Sequence, residues 1–329
     1  MEQPPAPLVA DSHGVICAFE LSPLATLDPD HLGDIAARQG LWLHFNLVDH
    51  RAEQWLNEQT WLPEAARETL LEDEPHVHVQ LLPEGFVAVL RDLRHGSEGD
   101  EAGFGTLVVY VDERRIVSGR RLPLRSLDRL RREVGRGQDV WSSVTLFEQL
   151  VECLTDTVEA LVAKLERVVE QAEDAILAGH FYDRGTELRQ VRWLLSRLRR
   201  EGRANRTALA RLPQRLPESW SALHRQSVAQ TVERFASLAQ DLEFVEDRAR
   251  LMQEEIAGRL GEATNRNLYL LSIMTTTLLP ITLITGVFGM NVGGLPWLRS
   301  GNGFWYVVVL MALSVLLTLA FISRRSRQP

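Results

Sequence analysis

The C-terminal end of the chain restricts its fold more than any other feature, because it holds two long uncharged runs back to back. Residues 267–298 contain no Asp, Glu, Lys or Arg, and neither do residues 302–323. The first run includes LYLLSIMTTTLLPITLITGVF (Leu268–Phe288), which as a helix extends about 30 Å, the thickness of a bilayer core. The second includes FWYVVVLMALSVLLTLAFI (Phe304–Ile322), also of spanning length. Core helices of a soluble protein are the competing reading, and two such runs in succession argue against it. We expect transmembrane helices over 267–290 and 304–323, joined by a loop over 291–303.

Flanking charge sets the expected orientation. Arg266 precedes the first span and Arg324, Arg325 and Arg327 follow the second, whereas the connecting loop carries only Arg299. Positive residues mark the cytoplasmic side, so both termini are expected there, with residues 324–329 as a basic cytoplasmic tail. Trp297, Trp305 and Tyr306 cluster at the opposite interface, as an aromatic belt would. The N-terminal sequence MEQPPAPLVADSHG lacks a basic stretch followed by an apolar core, so no signal peptide is expected. Cys17 and Cys153 form no CxxC pair and fit a reducing compartment. A net charge of −8 and a pI near 5.7 argue against a nucleic-acid partner.

The first 140 residues read as a mixed α/β domain. Strand patterns fall at 14–21, 41–48, 76–82, 85–93, 105–112 and 114–120, rich in Val, Leu, Ile and aromatics between Gly, Pro and Asp turns. Helical patterns lie around Asp30–Gln39 and Pro63–Glu72, and the close strand spacing over 76–120 predicts hairpins. Residues 141–217 change character. An acidic helical pattern from about Leu146 to Leu177, with Glu148, Glu152, Asp156, Glu159, Glu166, Glu170, Glu173 and Asp174, precedes an arginine-rich one over Arg184–Arg211. The two would pair as an antiparallel hairpin, or each would simply be a solvated face. Pro213 and Pro217 break the pattern, and Ser219 is a candidate N-cap. Apolar residues then recur at alternating steps of three and four from Val228 to Leu260, a stalk over 218–266 that runs without a break into the first span.

That first span is polar for a membrane helix, with Ser272, Thr275, Thr276, Thr277, Thr282 and Thr285. Asn265, Leu268, Leu271, Thr275, Leu279, Thr282, Gly286 and Gly289 share one helical stripe. Hydroxyl and amide oxygens suit a cation or its hydration water, and the leucines would act as constrictions. The alternative is that the threonines bond back to their own helix or pack helix on helix. One such helix cannot enclose a water path, so copies must assemble around an axis. Zinc seeks His, Cys or carboxylate in a tetrahedral set, and His44, His50, His76 and His78 lack that spacing. His76 and His78 read as ordinary strand residues. No nucleophile, phosphate loop or hydrolase motif is present, so the chain is not read as an enzyme, and no resident cofactor is expected.

The run NRNLYLLSIMTTTLLPITLITGVFGMN (Asn265–Asn291), with its short loop, second span and basic tail, resembles the CorA superfamily of divalent cation transporters. Gly289-Met290-Asn291 looks like that superfamily's GMN signature. The resemblance implies an α+β architecture: a cytoplasmic α/β/α domain, long helices and two C-terminal transmembrane helices, in a funnel-shaped homopentamer. It implies that Asn291 binds a hydrated cation at the outer mouth, that Leu271 and Leu268 are gate-like, and that Asn265 lies at the cytoplasmic end. Magnesium-type members carry an acidic Met-Pro-Glu-Leu loop after the signature, whereas Val292-Gly293-Gly294-Leu295-Pro296-Trp297 has no acid. That loop, like VDERRIVSGRR (Val111–Arg121), is similar to the ZntB branch. The resemblance therefore implies zinc uptake across the bacterial inner membrane, coupled to protons, with Cd2+, Co2+, Ni2+ and Mg2+ as further candidate cargo. A magnesium or cobalt channel gated by cytoplasmic divalent cation is the alternative.

Overall fold

The computed structural model describes residues 13–28, 38–95, 103–136, 142–179, 184–216, 220–290, 295–297 and 301–325. The chain divides into two compact units, Met1–Gln253 and Glu254–Pro329. The first is built on a seven-stranded sheet of β1 (Val15–Leu21), β2 (Leu24–Thr26), β3 (Leu41–Asn46), β4 (His78–Leu81), β5 (Gly85–Leu93), β6 (Phe104–Asp112) and β7 (Arg115–Arg120). Their spatial order is β2-β1-β3-β7-β6-β5-β4. Only β3 and β7 pair in parallel, and β4 to β7 form the antiparallel meander that the hairpin spacing predicts.

The central strands are buried at nearly every position because both faces of the sheet are covered. In β5, Phe86, Ala88 and Leu90 point to one core while Val87 and Val89 point to the other. The second of these cores is closed by α1 (His50–Glu58) and α2 (Glu64–Leu71) through Ala52, Trp55, Leu56, Ala66 and Leu70. The first is closed by α3 (Arg125–Gly135), by the start of α4 (Ser143–Leu177) and by Trp220, Val228, Val232 and Phe235. Phe86 sits at its centre, edge-on to Phe147 at 4.9 Å and 5.9 Å from Trp220. The result is an α/β/α sandwich.

α5 (Arg184–Leu209) and α6 (Ala222–Phe288, 67 residues) follow, and α6 continues into the second unit, where α7 (Gly303–Arg325) completes the chain. A capping box between Ser142 and Thr145 starts α4 three residues before its first expected apolar position. Ser219 lies outside the described residues, and it is Ser221 whose hydroxyl accepts the His224 N–H at the head of α6. The pattern at Asp30–Gln39 falls mostly on undescribed residues 29–37, while Arg38, Gln39 and Gly40 are not helical. β2, α1 and α3 are additional to the sequence expectation.

The charge pairing of α4 and α5 also differs from a simple two-helix hairpin. Arg234 of α6 reaches Glu152, Asp156 and Glu159 of α4, and Arg248 of α6 reaches Glu173 at 2.6 Å. Arg199 and Arg203 of α5 reach Glu246 and Glu243 of α6 at 2.8 and 2.7 Å. α6 carries both signs, so it offers partners to the acidic and the basic helix at once. α4 and α5 also pack against each other, and Leu165, Val169, Leu188 and Leu195 on these helices are buried.

Candidate permeation site

In the second unit α6 runs unbroken from Glu254 to Phe288, so the three-and-four spacing of the sequence is a spatial stripe. Asn265, Leu268, Leu271, Thr275, Leu279, Thr282 and Gly286 are exposed along it, Leu279 at 68%. α6 contains a window long and apolar enough to cross a membrane, α7 contains another, and neither window is buried inside the chain. Large apolar side chains left exposed this way are suited to lipid or to further protein, not to water.

The threonine hydroxyls all turn back on the helix. Thr275, Thr276 and Thr277 donate to the carbonyls of Leu271, Ser272 and Ile273 at 2.7–2.8 Å. Thr282 donates to Leu279 O at 2.8 Å and Thr285 to Thr282 O at 3.0 Å. These are the back-bonds the sequence left open as an alternative to lining a pore, and the two are compatible. A hydroxyl has one hydrogen and two lone pairs. With the hydrogen spent on the backbone, the outward side of each oxygen is an acceptor only. Such a surface attracts cations and the hydrogens of their hydration shells. Pro280 lies inside the helix and supplies no N–H to the Thr276 carbonyl one turn back.

The helix ends at Phe288, one residue before Gly289. Gly289 N–H donates to Thr285 O at 2.8 Å and Met290 N–H to Val287 O at 3.3 Å. A Cβ on Gly289 would stand 2.9 Å from that same Thr285 oxygen, whereas one on Gly286 would meet nothing within 4 Å. Met290 is exposed. Asn291, with residues 292–294, lies outside the described residues. Beyond it Trp297, at φ +65, lies face to face with Phe288 at 6.5 Å and tilted against Tyr306 at 5.7 Å. This aromatic link joins the end of α6 to the first turn of α7. The sequence places Trp297 and Tyr306 in a belt; the stacking of Trp297 on Phe288 is additional to that expectation.

Among the described residues no group of three or more His, Cys, Asp or Glu side chains converges on a point that could hold a metal. His44 is buried, its Nδ1 3.0 Å from Ser118 Oγ, and burial together with the nearby Arg120 charge holds its pKa well below the usual histidine value. His50 is exposed beside Glu53, and His78 Nδ1 contacts the His76 carbonyl oxygen at 2.7 Å.

An α/β/α unit feeding one very long helix that ends in a hydroxyl-rich apolar half, with a second apolar helix behind it, defines a class of membrane transporter. The family model described as "CorA-like Mg2+ transporter protein" matches residues 37–325, and the chain belongs to that family. It is a divalent cation transporter, not an enzyme. The divalent cation transporter CmaX of Pseudomonas aeruginosa is 30% identical over 292 residues, 84% of each chain. The zinc transport protein ZntB of Yersinia enterocolitica is 27% identical over 295 residues, 89% of each. The solved structure of full-length CmaX superposes with a TM-score of 0.79 at 25% identity, covering 96% of this chain and 99% of that one.

Proposed function

We propose that this chain takes up zinc across the bacterial inner membrane through a pore formed by five copies, both termini lying in the cytoplasm. The observation that carries the reading is the exposed stripe on α6, where hydroxyl hydrogens are turned inward and acceptor oxygens outward in a helix half without charge. In this proposal Asn291, supported by Gly289 and Met290, holds a partly hydrated cation at the mouth, and Thr282 and Thr275 pass it on through water. Leu279, Leu271 and Leu268 narrow the path, Gly286 lets neighbouring helices approach, and Asn265 receives the ion at the cytoplasmic end. A neutral lining handles hydrated ions and does not itself sort zinc from magnesium. Support for zinc comes from the acid-free loop 292–297 and from the ZntB relatives. Without acids at the mouth, electrostatic attraction of the cation is weaker, which favours coupling to a proton gradient as the driving force.

A magnesium or cobalt channel gated by cytoplasmic divalent cation is the second reading, favoured by the magnesium in the family's own name and by the acids of α4. Several of those acids are already engaged by Arg234 and Arg248, which counts against their serving as a free gating site. The test is uptake of zinc, cadmium, cobalt and magnesium by vesicles carrying wild type or Asn291→Ala, with and without an imposed pH gradient. The proposal expects zinc flux that rises with the gradient and is lost in the variant. Uptake untouched by Asn291→Ala overturns the pore assignment, and flux indifferent to the gradient overturns coupling.

A further inference from the structure

The first unit carries a positive groove that transport does not use. Two adjoining cavities, about 490 and 540 Å³, run along α5 and share Arg200 and Arg203. Arg197 and Arg199 line the first, and Arg211 and Arg215 the second. Three glutamates answer these six arginines: Glu201 to Arg200 at 3.3 Å, Glu243 to Arg203 at 2.7 Å and Glu246 to Arg199 at 2.8 Å. Arg211 and Arg215 have no ion-pair partner among the described residues. In a chain of net charge −8, this local cationic excess is unusual and calls for an anion.

The shape of the second cavity narrows the kind of anion. Its other wall is apolar, built of Val79 and Leu81 from the edge strand β4 and Ala204, Ala208 and Leu212 from α5 and the turn after it. The small side chains of Ala204 and Ala208 leave room beside the arginines, and His78 also lines this cavity. An apolar wall fixes a ring or chain by burial, while arginine forks match phosphate oxygens two at a time. A single inorganic ion would leave the wall unused. A bare hydrocarbon would leave the arginines unused.

We propose that this groove binds a nucleoside polyphosphate, the base against Val79, Leu81 and Ala208 and the phosphates among Arg200, Arg203, Arg211 and Arg215. None of these residues belongs to the stripe on α6, so the site is regulatory and its failure leaves the transport reading untouched.

The experiment is calorimetric titration of the full chain in detergent, with EDTA present to remove metal, using ATP, tripolyphosphate and adenosine. A parallel titration uses nanodiscs containing phosphatidylglycerol, to detect competition from a lipid headgroup. The proposal expects ATP to bind, tripolyphosphate to bind more weakly and adenosine not to bind. Arg211→Gln combined with Arg215→Gln should weaken ATP at least tenfold, and since both side chains are exposed the variant should keep its melting temperature. High salt should weaken ATP in the same direction, as screening requires. Absence of ATP binding at low salt, wild-type affinity in the double variant, tripolyphosphate as tight as ATP, or loss of ATP binding in the anionic nanodiscs would each overturn it.

Discussion

Asp92→Asn should stabilise the α/β/α unit at pH 8 and leave it unchanged near pH 4. Asp92, near the end of β5, serves the first turn of α3, whose own N-cap residue, Leu124, makes no side-chain hydrogen bond. The Ser126 hydroxyl donates to Asp92 Oδ1 at 2.7 Å and the Ser126 N–H to Oδ2 at 3.1 Å. Burial pushes the carboxyl up to about 6 from an ordinary 3.8, against the opposing pull of those hydrogen bonds. Between these two values the folded protein holds a proton that the unfolded chain has released. Stability from this group is therefore full below pH ~3.8 and is lost as the pH rises through about 6. A difference of about two pH units corresponds to roughly 3 kcal/mol.

Asparagine is neutral throughout. Its oxygen can accept the Ser126 N–H, and its amide can donate to Ser126 Oγ, whose hydrogen can then go to Thr157 Oγ1 at 3.2 Å. The expected gain at pH 8 is about 1–3 kcal/mol, the lower end allowing for one weakened hydrogen bond. Apparent melting temperatures from tryptophan fluorescence in detergent, at intervals from pH 4 to pH 8, measure it. The difference between the two proteins at each pH cancels groups they share, including neutral buried His44, whose own contribution runs the other way and is lost on acidification through 6.5. If Asp92→Asn melts below wild type at pH 8, the carboxylate charge at the head of α3 outweighs its burial, and the argument fails.

Gly289→Ala should cost about 1–3 kcal/mol of local strain, because its Cβ meets Thr285 O at 2.9 Å, and should depress metal uptake. Gly286→Ala meets nothing within 4 Å among the described residues, so lost uptake with unchanged stability of the monomer would report a neighbouring copy; unchanged uptake would refute close packing there. Thr282→Val keeps the volume and removes the outward acceptor, so several-fold slower uptake is expected with a stability cost below about 1 kcal/mol, and Thr282→Ser should restore it. Wild-type flux in Thr282→Val would remove that residue from the water path. Arg234→Gln leaves Glu152 and Glu159 without their shared cation while Asp156 keeps Arg129, an expected loss of about 0.5–1 kcal/mol that shrinks in 1 M salt. A loss independent of salt would show that packing, not charge, is the cause.

Local signals carried much of this protein. Hydrophobic runs of spanning length, strand patterns closed by Gly, Pro and Asp turns, and heptad steps in α6 depend only on neighbours in the chain, and they locate six of the seven strands and the long helices. β2 is three residues long, too short for a period to register, and it forms because Phe19, Glu20 and Leu21 offer a partner edge. α3 was equally hidden, since its start is stabilised by an aspartate more than thirty residues away rather than by a local cap.

The stripe on α6 was legible because a helix converts spacing into direction, so spacing alone places seven residues from Asn265 to Gly286 on one face. What the sequence left open was the state of each hydroxyl, and that depends on backbone carbonyls one turn back. Nor could pattern alone say that Arg234 and Arg248 hold the acids of α4, or that Arg211 and Arg215, just past α5, have no ion-pair partner among the described residues. Those are encounters between segments distant in sequence. The amino-acid order determined which surfaces are apolar, charged or hydroxyl-bearing; only the tertiary structure decided which of them meet, because burial and ion pairing are set by distance in space.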